Sequence, residues 1–226
     1  MRRPRELRAG IAGAAVHTLN NGLGVLMAVE DLLARAHGAP ECLAKAQAAL
    51  EAATGQLSFC VDALSLAALS REDAATPGRT PVDELREMGS QLCRRAELVP
   101  ACAAAEGIGG EIALDGELVR WIVSCAIAAL RETVPRRARL AIALARVGEA
   151  VELRLEAQAG SGPNPAAGQS PFRGRHPAAL ALAGRKALLA AAGVRITQSA
   201  ARAARGAGLR VRFPLAVEKD GAGLLA

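Results

Sequence analysis

His17 is the residue of this sequence best suited to chemistry, because it stands in a helical pattern with Asn20 and Asn21 one turn further along. An exposed imidazole is largely neutral near neutral pH, so one ring nitrogen is free to act as a nucleophile. Histidine can attack a phosphoryl group directly and carry it covalently. The residue types therefore favour phosphoryl transfer through His17. The alternative is an ordinary surface histidine, or a core histidine satisfied by a neighbour.

A long amphipathic helix over residues 6–36 is predicted to present this histidine. Its apolar side chains recur at spacings of three and four, the period of one helical face, and they are Ile11, Ala15, Leu19, Gly22, Leu26, Val29 and Leu33. A different face carries His17, Asn20, Asn21, Gly24, Ala28, Asp31 and Arg35. We expect this second face to be exposed, with Gly24 and Ala28 leaving room for a partner to approach.

A second helix over residues 40–69 carries a heptad pattern. Leucines stand seven residues apart at Leu43, Leu50, Leu57 and Leu64, and small residues fill the intervening positions Ala46, Ala53, Cys60 and Ala67. This pattern predicts a helix that packs along a continuous seam. A single hairpin would leave part of the seam exposed, so the sequence predicts a homodimer whose two hairpins form a four-helix bundle.

After a polar linker over residues 71–81, the pattern changes to that of an α+β protein. Helices are predicted over residues 82–97, 115–133 and 177–192, and strands over residues 98–103, 107–114, 139–146, 150–157, 194–200 and 208–215. A loop rich in glycine, proline and serine covers residues 160–175. The sequence thus predicts a helical hairpin over residues 1–70, a two-layer sandwich over 82–216 and a loose tail over 217–226.

Composition excludes several classes of protein. The 226-residue chain carries a net charge of +6, but it has no basic stripe with interleaved aromatic residues, so we expect no nucleic-acid binding. No uninterrupted apolar run is long enough to cross a bilayer. The five cysteines lack the spacing of a zinc site or a disulfide framework. We expect a protein of the reducing cytoplasm, with no membrane anchor.

The segment from His17 to Leu23, H-T-L-N-N-G-L, resembles the phospho-accepting box of bacterial sensor histidine kinases, often written H-[DE]-L-N-N-x-L. The hairpin resembles the dimerisation and phosphotransfer domain of these kinases, and the α+β region resembles their ATP-binding domain. The resemblance implies that His17 accepts the phosphoryl group and that Asn21 and Thr18 contact it. The residues that it places against a partner are Asn20, Gly24, Ala28, Asp31 and Arg35.

One departure from the family concerns the residue that follows the histidine. Family kinases have an acid there, which can orient the imidazole and accept a proton, whereas Thr18 cannot act as a base near neutral pH. Self-phosphorylation from ATP should suffer most from this change. Transfer from a reactive aspartyl phosphate could survive it.

The family's nucleotide site is also replaced. Ala129 stands where the resemblance places a metal-binding asparagine. Residues 157–161 read A-Q-A-G-S in place of D-x-G-x-G, and residues 177–183 read P-A-A-L-A-L-A in place of G-x-G-L-G-L-A. Alanine does not bind Mg²⁺, and it does not readily take the backbone conformations that glycine uses around phosphates. We therefore expect no nucleotide, metal or other cofactor bound by this chain itself.

The sequence and the resemblance together predict a dimeric histidine phosphotransferase, most similar to relay proteins with a non-functional ATP-binding domain. It would exchange a phosphoryl group with the aspartate of a response-regulator receiver domain, which would supply the Mg²⁺. Three alternatives stay open: a receiver phosphatase that acts through Asn21 and water, a scaffold that only binds a partner, and a kinase with an unconventional nucleotide site. His37 and His176 are expected to be solvent-exposed and without a role.

Overall fold

The computed structural model describes residues 4–35, 39–103, 108–135, 137–157, 176–199 and 208–216, with residues 4–9 described by their backbone alone. Two long helices, α1 (Pro4–Arg35) and α2 (Pro40–Ala68), pack side by side as an antiparallel hairpin. The predicted hairpin is therefore confirmed. Most of its predicted turn, including His37, lies outside the described residues. None of the described helices combines the length and apolar character needed to cross a membrane.

Most small residues of the α2 heptad pattern are buried, whereas most of its leucines are exposed to solvent. Its small residues Ala46, Ala53 and Cys60 are buried, and the Cys60 thiol lies 3.8 Å from the carbonyl oxygen of Ala15 on α1. Its leucines at positions 43, 50 and 64 remain 46%, 43% and 37% exposed. The small side chains let the two helices approach closely, and this leaves the leucines on the flank of the hairpin.

The predicted apolar stripe of α1 is divided in the same way. Ile11, Ala15 and Val29 are buried, whereas Leu19 and Leu33 are exposed. At Gly22 the helices are so close that an added Cβ would lie 2.8 Å from a methyl carbon of Leu57. A close helix pair covers only a narrow face, so the outer members of the stripe stay uncovered.

The remainder of the chain forms a two-layer α+β sandwich, which confirms the predicted fold class. Its elements are α3 (Arg71–Ala74), β1 (Thr80–Pro81), α4 (Val82–Arg95), β2 (Val99–Cys102), β3 (Glu111–Ile112), α5 (Gly116–Arg131), β4 (Arg139–Val147), β5 (Ala150–Ala157), α6 (Pro177–Ala191), β6 (Arg195–Ser199) and β7 (Gly208–Pro214). The main sheet has the order β2-β4-β5-β7-β6, and only β2 is parallel to its neighbour. Strands β1 and β3 form a separate antiparallel pair.

Two predicted segments differ from the structure. The segment expected to be a plain linker contains α3, whose first turn is closed by reciprocal hydrogen bonds between Ser70 and Asp73, and it ends in β1. The strand expected over residues 107–114 is reduced to the two residues of β3 within the described chain. The predicted loop over residues 160–175 and the tail over 217–226 lie outside the described residues.

One hydrophobic core joins the hairpin to the sandwich. Phe59, Ala63 and Leu66 of α2 belong to the same buried cluster as Ala129 of α5 and Ala178 of α6. The approach is close because α2 has a glycine at position 55, where a Cβ would lie 2.6 Å from the carbonyl oxygen of Arg95. The hairpin and the sandwich are therefore packed as one body.

A buried carboxylate fastens this interface. Asp62 of α2 is 1% exposed, and it accepts hydrogen bonds from Ser124 Oγ at 2.6 Å and from Arg120 Nη1 at 2.8 Å, both on α5. Ser124 and Arg120 stand four residues apart, which places them on one face of α5. Since Asp62 is removed from water, its charge depends on these two donors for compensation.

Replacing this carboxylate should destabilise the whole chain. We expect Asp62→Ala to lower the free energy of unfolding by about 2 to 3 kcal/mol, because the buried Ser124 hydroxyl and the partly buried Arg120 lose their acceptor. The melting temperature should fall by roughly 4 to 12 °C. The matched control is Asp31→Ala, which removes an exposed ion pair worth at most about 0.5 kcal/mol. Equal losses in the two variants, measured by urea unfolding, would contradict the role of Asp62.

Candidate functional site

The face of α1 that carries His17 is open to solvent. His17, Asn20, Asn21, Gly24, Ala28, Asp31 and Arg35 are all exposed. A Cβ placed on Gly24 would meet no atom within 4 Å. The helical pattern therefore predicted the exposure of this face correctly, and the face offers an unobstructed approach to the imidazole.

Asn21 is the hydrogen-bond partner of His17. Its amide nitrogen Nδ2 lies 3.3 Å from His17 Nε2, one helical turn away. Because an amide nitrogen can only donate, the bond requires an unprotonated Nε2, and the ring proton is then on Nδ1. The contact orients the ring, and the Nε2 electron pair becomes available for attack when the amide moves off it.

Thr18 is turned away from the imidazole. Its hydroxyl donates a hydrogen bond of 3.0 Å to the carbonyl oxygen of Ala14 in the preceding turn. This is a common arrangement of threonine inside a helix. The oxygen keeps lone pairs that can accept a hydrogen bond, but the hydroxyl proton is engaged with the backbone.

Asp31 and Arg35 pair with each other at the far end of the exposed face. Arg35 Nη2 lies 2.6 Å from Asp31 Oδ2, and 78% and 65% of the arginine and aspartate side chains are exposed. An exposed pair of this kind contributes little to stability. It can therefore be opened at low cost when another charged surface approaches.

Beside His17 lies a cleft of about 240 Å³ between the hairpin and the helical layer of the sandwich. Its lining residues are His17, Thr18, Asn21, Ala52, Gln56, Phe59, Arg95, Ala96, Glu97, Ala128, Arg131, Glu132 and His176. They come from α1 and α2 on one side and from the ends of α4, α5 and α6 on the other. The packing of the two parts thus brings a second imidazole, two guanidinium groups and two carboxylates to the cleft that His17 lines.

His176 was predicted to be solvent-exposed and silent, and the exposure is wrong. It is half-buried, and its Nδ1 accepts a hydrogen bond of 3.3 Å from the backbone N–H of Ala178, which caps the first turn of α6. Burial lowers the pKa of the His176 imidazole, and the nearby negative charge of Glu132 opposes part of that shift. Proline is common at the first position of a helix, so Pro177 indicated that residue 176 could be a helix cap. The cap was not predicted because histidine is not among the usual capping residues.

Arg131 links three segments that line or adjoin the cleft. Its guanidinium donates to the carbonyl oxygen of Ala96 at 3.0 Å and to that of Val134 at 3.3 Å, and it lies 3.5 Å from a carboxylate oxygen of Glu97. Glu97 has a positive φ of 56°, a conformation that costs energy in residues other than glycine. The contacts of Arg131 tie this strained residue to the end of α5.

Most of the described residues that were predicted to replace a nucleotide site are buried. Ala129, Ala178 and Ala181 have no exposed surface, and Ala179 is 1% exposed. They share the core with the side chains of α2. The remaining replaced segment, residues 158–161, lies outside the described residues. Within the described chain there is also no group of three or more histidine, cysteine or acidic side chains arranged to hold a metal ion.

Comparison with known proteins identifies the fold. No family profile matches the sequence, and no curated protein does either. The structure of a bacterial phosphotransferase aligns with 93% of this chain and 98% of its own, at a TM-score of 0.56 and 14% identity. At this identity the likeness defines the fold, so the predicted resemblance is confirmed as a shared architecture of hairpin and sandwich.

Two histidine kinases align with lower scores. Histidine kinase AdeS of Acinetobacter baumannii matches at a TM-score of 0.46 and 16% identity, over 89% of this chain and 98% of its own. A histidine kinase from Burkholderia phymatum matches at a TM-score of 0.45 and 14% identity, over 92% of this chain and 98% of its own.

The lowered pKa of His176 predicts a pH dependence of stability. Below about pH 6.5 the unfolded chain takes up a proton at this imidazole that the folded chain does not, so its contribution to stability is lost as the pH falls towards the lowered pKa. Asparagine caps helices well and does not titrate. His176→Asn should therefore match the unmodified protein at pH 7.5 and lose less stability at pH 5.5.

The measurement is urea unfolding at a series of pH values from 7.5 to 5. His176→Ala serves as the control, because it should lose the cap, worth about 1 kcal/mol, at every pH. Parallel pH profiles for His176→Asn and the unmodified protein would show that the imidazole does not titrate as inferred.

Proposed function

We propose that this protein carries a phosphoryl group on His17 and exchanges it with the active-site aspartate of a response-regulator receiver domain. The observation that carries the proposal is the exposed imidazole of His17, oriented by the amide of Asn21 on an unobstructed helix face. The shared architecture with a bacterial phosphotransferase supports it. A role with receiver domains would place the protein in the cytoplasm.

The proposed transfer is a direct displacement at phosphorus. The electron pair on Nε2 forms the new N–P bond while the bond between phosphorus and the aspartyl oxygen breaks, and the carboxylate of the receiver leaves. The reverse step returns the group. The receiver supplies the Mg²⁺ that neutralises the phosphoryl oxygens, so the hairpin contributes mainly position. Asn21 then lies close enough to donate to a phosphoryl oxygen, and Thr18 is a second candidate contact.

The exposed face of α1 is the proposed docking surface for the receiver. Gly24 and Ala28 have no side chain long enough to keep a partner away from the helix. Asn20 lies next to the imidazole, and Asp31 and Arg35 offer charges that can be redirected to a partner, because their mutual pair is exposed. These residues are the proposed determinants of which receiver binds.

ATP is not the proposed donor. The alanines that occupy the family's metal and phosphate positions are buried against α2. Thr18 also lacks the acid–base chemistry of the family's acidic residue. These two features support a carrier that receives its phosphoryl group from a protein.

A second candidate function is suggested by the contact between Asn21 and His17. An amide at this position can also hold a water molecule for attack on the phosphorylated receiver, without a covalent intermediate on the histidine. Such a phosphatase would depend on Asn21 more than on His17. A scaffold that only binds the receiver would be indifferent to both residues.

The decisive experiment follows labelled phosphate. A panel of purified receiver domains, phosphorylated with labelled acetyl phosphate, is mixed with the protein, and ATP with Mg²⁺ is tested as a separate donor. We expect acid-labile label on the protein from a receiver and none from ATP. His17→Ala should abolish the label, and Asn21→Ala should slow its appearance by about 10- to 100-fold.

Each alternative gives a different result in the same experiment. Loss of receiver phosphate without label on the protein, sensitive to Asn21→Ala but not to His17→Ala, would identify a phosphatase. Binding without any movement of phosphate would identify a scaffold. Label from ATP would identify a kinase. Label that persists in His17→Ala would contradict the assignment of the carrier residue.

We further propose that the hairpin dimerises through its exposed apolar flank. The large exposed side chains of the hairpin are Val16, Leu19, Leu23, Met27, Leu33, Leu43, Leu50, Val61 and Leu64. So many apolar side chains on one pair of helices indicate a surface that is covered by a partner. A second hairpin would bury the leucine half of the heptad, which the first hairpin leaves open.

Charge placed on this flank should separate the dimer. Leu50→Glu introduces two carboxylates into a symmetric interface and removes two leucines, each worth about 1.5 to 3 kcal/mol when buried. We expect dimer affinity to fall by at least about 100-fold, as measured by light scattering over a dilution series. Ala44→Glu, an equal change of charge at another exposed position of α2, should leave the dimer intact. An unmodified protein that is monomeric at high concentration would exclude the bundle.

A further inference from the structure

The face of the main sheet that points away from the helices carries a cluster of arginines. Strand residues alternate between the two faces, and Leu153 and Val211 point into the core. Their neighbours lie on the outer face in two rows. Glu152 is opposite Arg212, which is opposite Arg195, and Arg154 is opposite Arg210 in the next row. We call these four arginines, at positions 154, 195, 210 and 212, the arginine cluster.

Glu152 fixes two members of this cluster in place. It has no exposed surface although it belongs to the outer face, because Arg154 and Arg212 lie over it. Its carboxylate accepts hydrogen bonds from Arg154 Nε at 2.7 Å and from Arg212 Nε at 2.5 Å. Burial alone would raise the pKa of Glu152, but the hydrogen bonds and charges of Arg212 and Arg154 outweigh it and lower that pKa. The carboxylate therefore stays ionised and holds both guanidinium groups against the sheet.

The cluster also contains a donor without an acceptor. Arg210 Nε is buried and has no hydrogen-bond partner within the part of the chain that the structure describes. A buried donor in this state is unfavourable, because it has lost its hydrogen bonds to water without gaining another acceptor. Arg154 and Arg212 keep 41% of their side-chain surface exposed, and Arg195 is exposed as well. The cluster therefore offers more donors than its single buried carboxylate can satisfy.

A flat strip of small residues borders the arginine cluster. Ala141, Ala143 and Ala145 of β4 stand opposite Glu156, Arg154 and Glu152, so they share the outer face. All three are half-buried. Side chains of this size allow the backbone of another helix or strand to come close to the sheet. The outer face thus combines an apolar strip on one strand with positive charge on its neighbours.

We propose that this surface binds an acidic amphipathic helix of a partner protein. The two rows of the cluster are about 7 Å apart, which is two residues along a strand, and this matches the ~6 Å between side chains four residues apart on a helix. Carboxylates at that spacing can pair with the exposed guanidinium groups of both rows. The apolar edge of the helix then lies on Ala141, Ala143 and Ala145.

The chemistry of the face favours a protein over a nucleic acid. Within its described residues the face has no aromatic side chain on which a base could stack. The strip of Ala141, Ala143 and Ala145 offers an apolar surface that suits the apolar edge of a helix rather than a phosphate backbone. The face is separated from His17 by the sheet and by the helices α4, α5 and α6. This interaction therefore goes beyond the proposed phosphoryl transfer and does not rest on it.

The test uses the full chain and a labelled synthetic peptide of about 18 residues. The peptide has glutamates four residues apart along one helical edge and leucine and alanine beside them, and binding is followed by fluorescence anisotropy. We expect saturable binding with a dissociation constant below about 100 µM, a range accessible to weak, transient recognition. Arg195→Glu combined with Arg210→Gln should weaken it at least tenfold, and both substitutions leave the buried Glu152 with its two donors. Ala143→Glu should also weaken binding by obstructing the alanine strip.

Two controls separate recognition from general attraction to a basic protein. Arg86→Glu makes the same change of charge as Arg195→Glu on the exposed face of α4, and it should leave peptide binding unchanged. A peptide of the same composition with its glutamates spread around the helix should bind at least tenfold more weakly. Equal losses in Arg86→Glu and the cluster variants would overturn the proposal, as would an absence of binding at 100 µM. Tighter binding of single- or double-stranded DNA through the same arginines would assign the surface to nucleic acid instead. His17→Ala should bind the peptide normally, so this result is independent of phosphoryl transfer.

Discussion

The packing of α2 against α5 and α6 is the contact on which the other features of the structure depend. Alanines on all three helices, Ala63, Ala129 and Ala178, let them approach closely. Asp62 also receives two hydrogen bonds from α5 inside the contact. A large residue on either side would separate the layers. The contact also buries Ala129 and Ala178, so these alanines contribute to the core that unites the two parts.

Because the hairpin and the sandwich are packed together, His17 has residues of the sandwich on one side and is open to solvent on the other. The cleft that it lines is formed by the ends of three helices and is braced by Arg131. The rest of the face of α1 that carries His17 consists of small and polar residues that are exposed. A receiver that approaches the imidazole would therefore meet a helix whose position is set by the whole sandwich, rather than a hairpin that moves by itself. Preorganisation of this kind lowers the entropic cost of docking.

Local sequence patterns predicted most helices and strands, because the residues that begin and end these elements lie next to them in the sequence. The helix predicted over residues 115–133 starts at Asp115, whose carboxylate caps α5 by accepting a hydrogen bond of 2.9 Å from the backbone N–H of Glu117. The turn between β4 and β5 and the end of α6 fall at Gly148 and Gly193, which have φ values of 63° and 81°. The contacts of His176, Asp62 and Glu152 could not be predicted from such local patterns. Asp62 meets residues 58 and 62 positions away, and such distant pairs leave no periodic trace in the sequence.

The single core shared by both parts of the chain has a consequence for how the protein can change over generations. In a protein with hinged domains, the catalytic part can decay while the rest persists. Here the sandwich supplies the buried surface against which α2 packs, so a deletion within the sheet would also remove the support of the histidine-bearing hairpin. Substitutions in the hairpin and in the sandwich are therefore constrained together, because both parts contribute to one core.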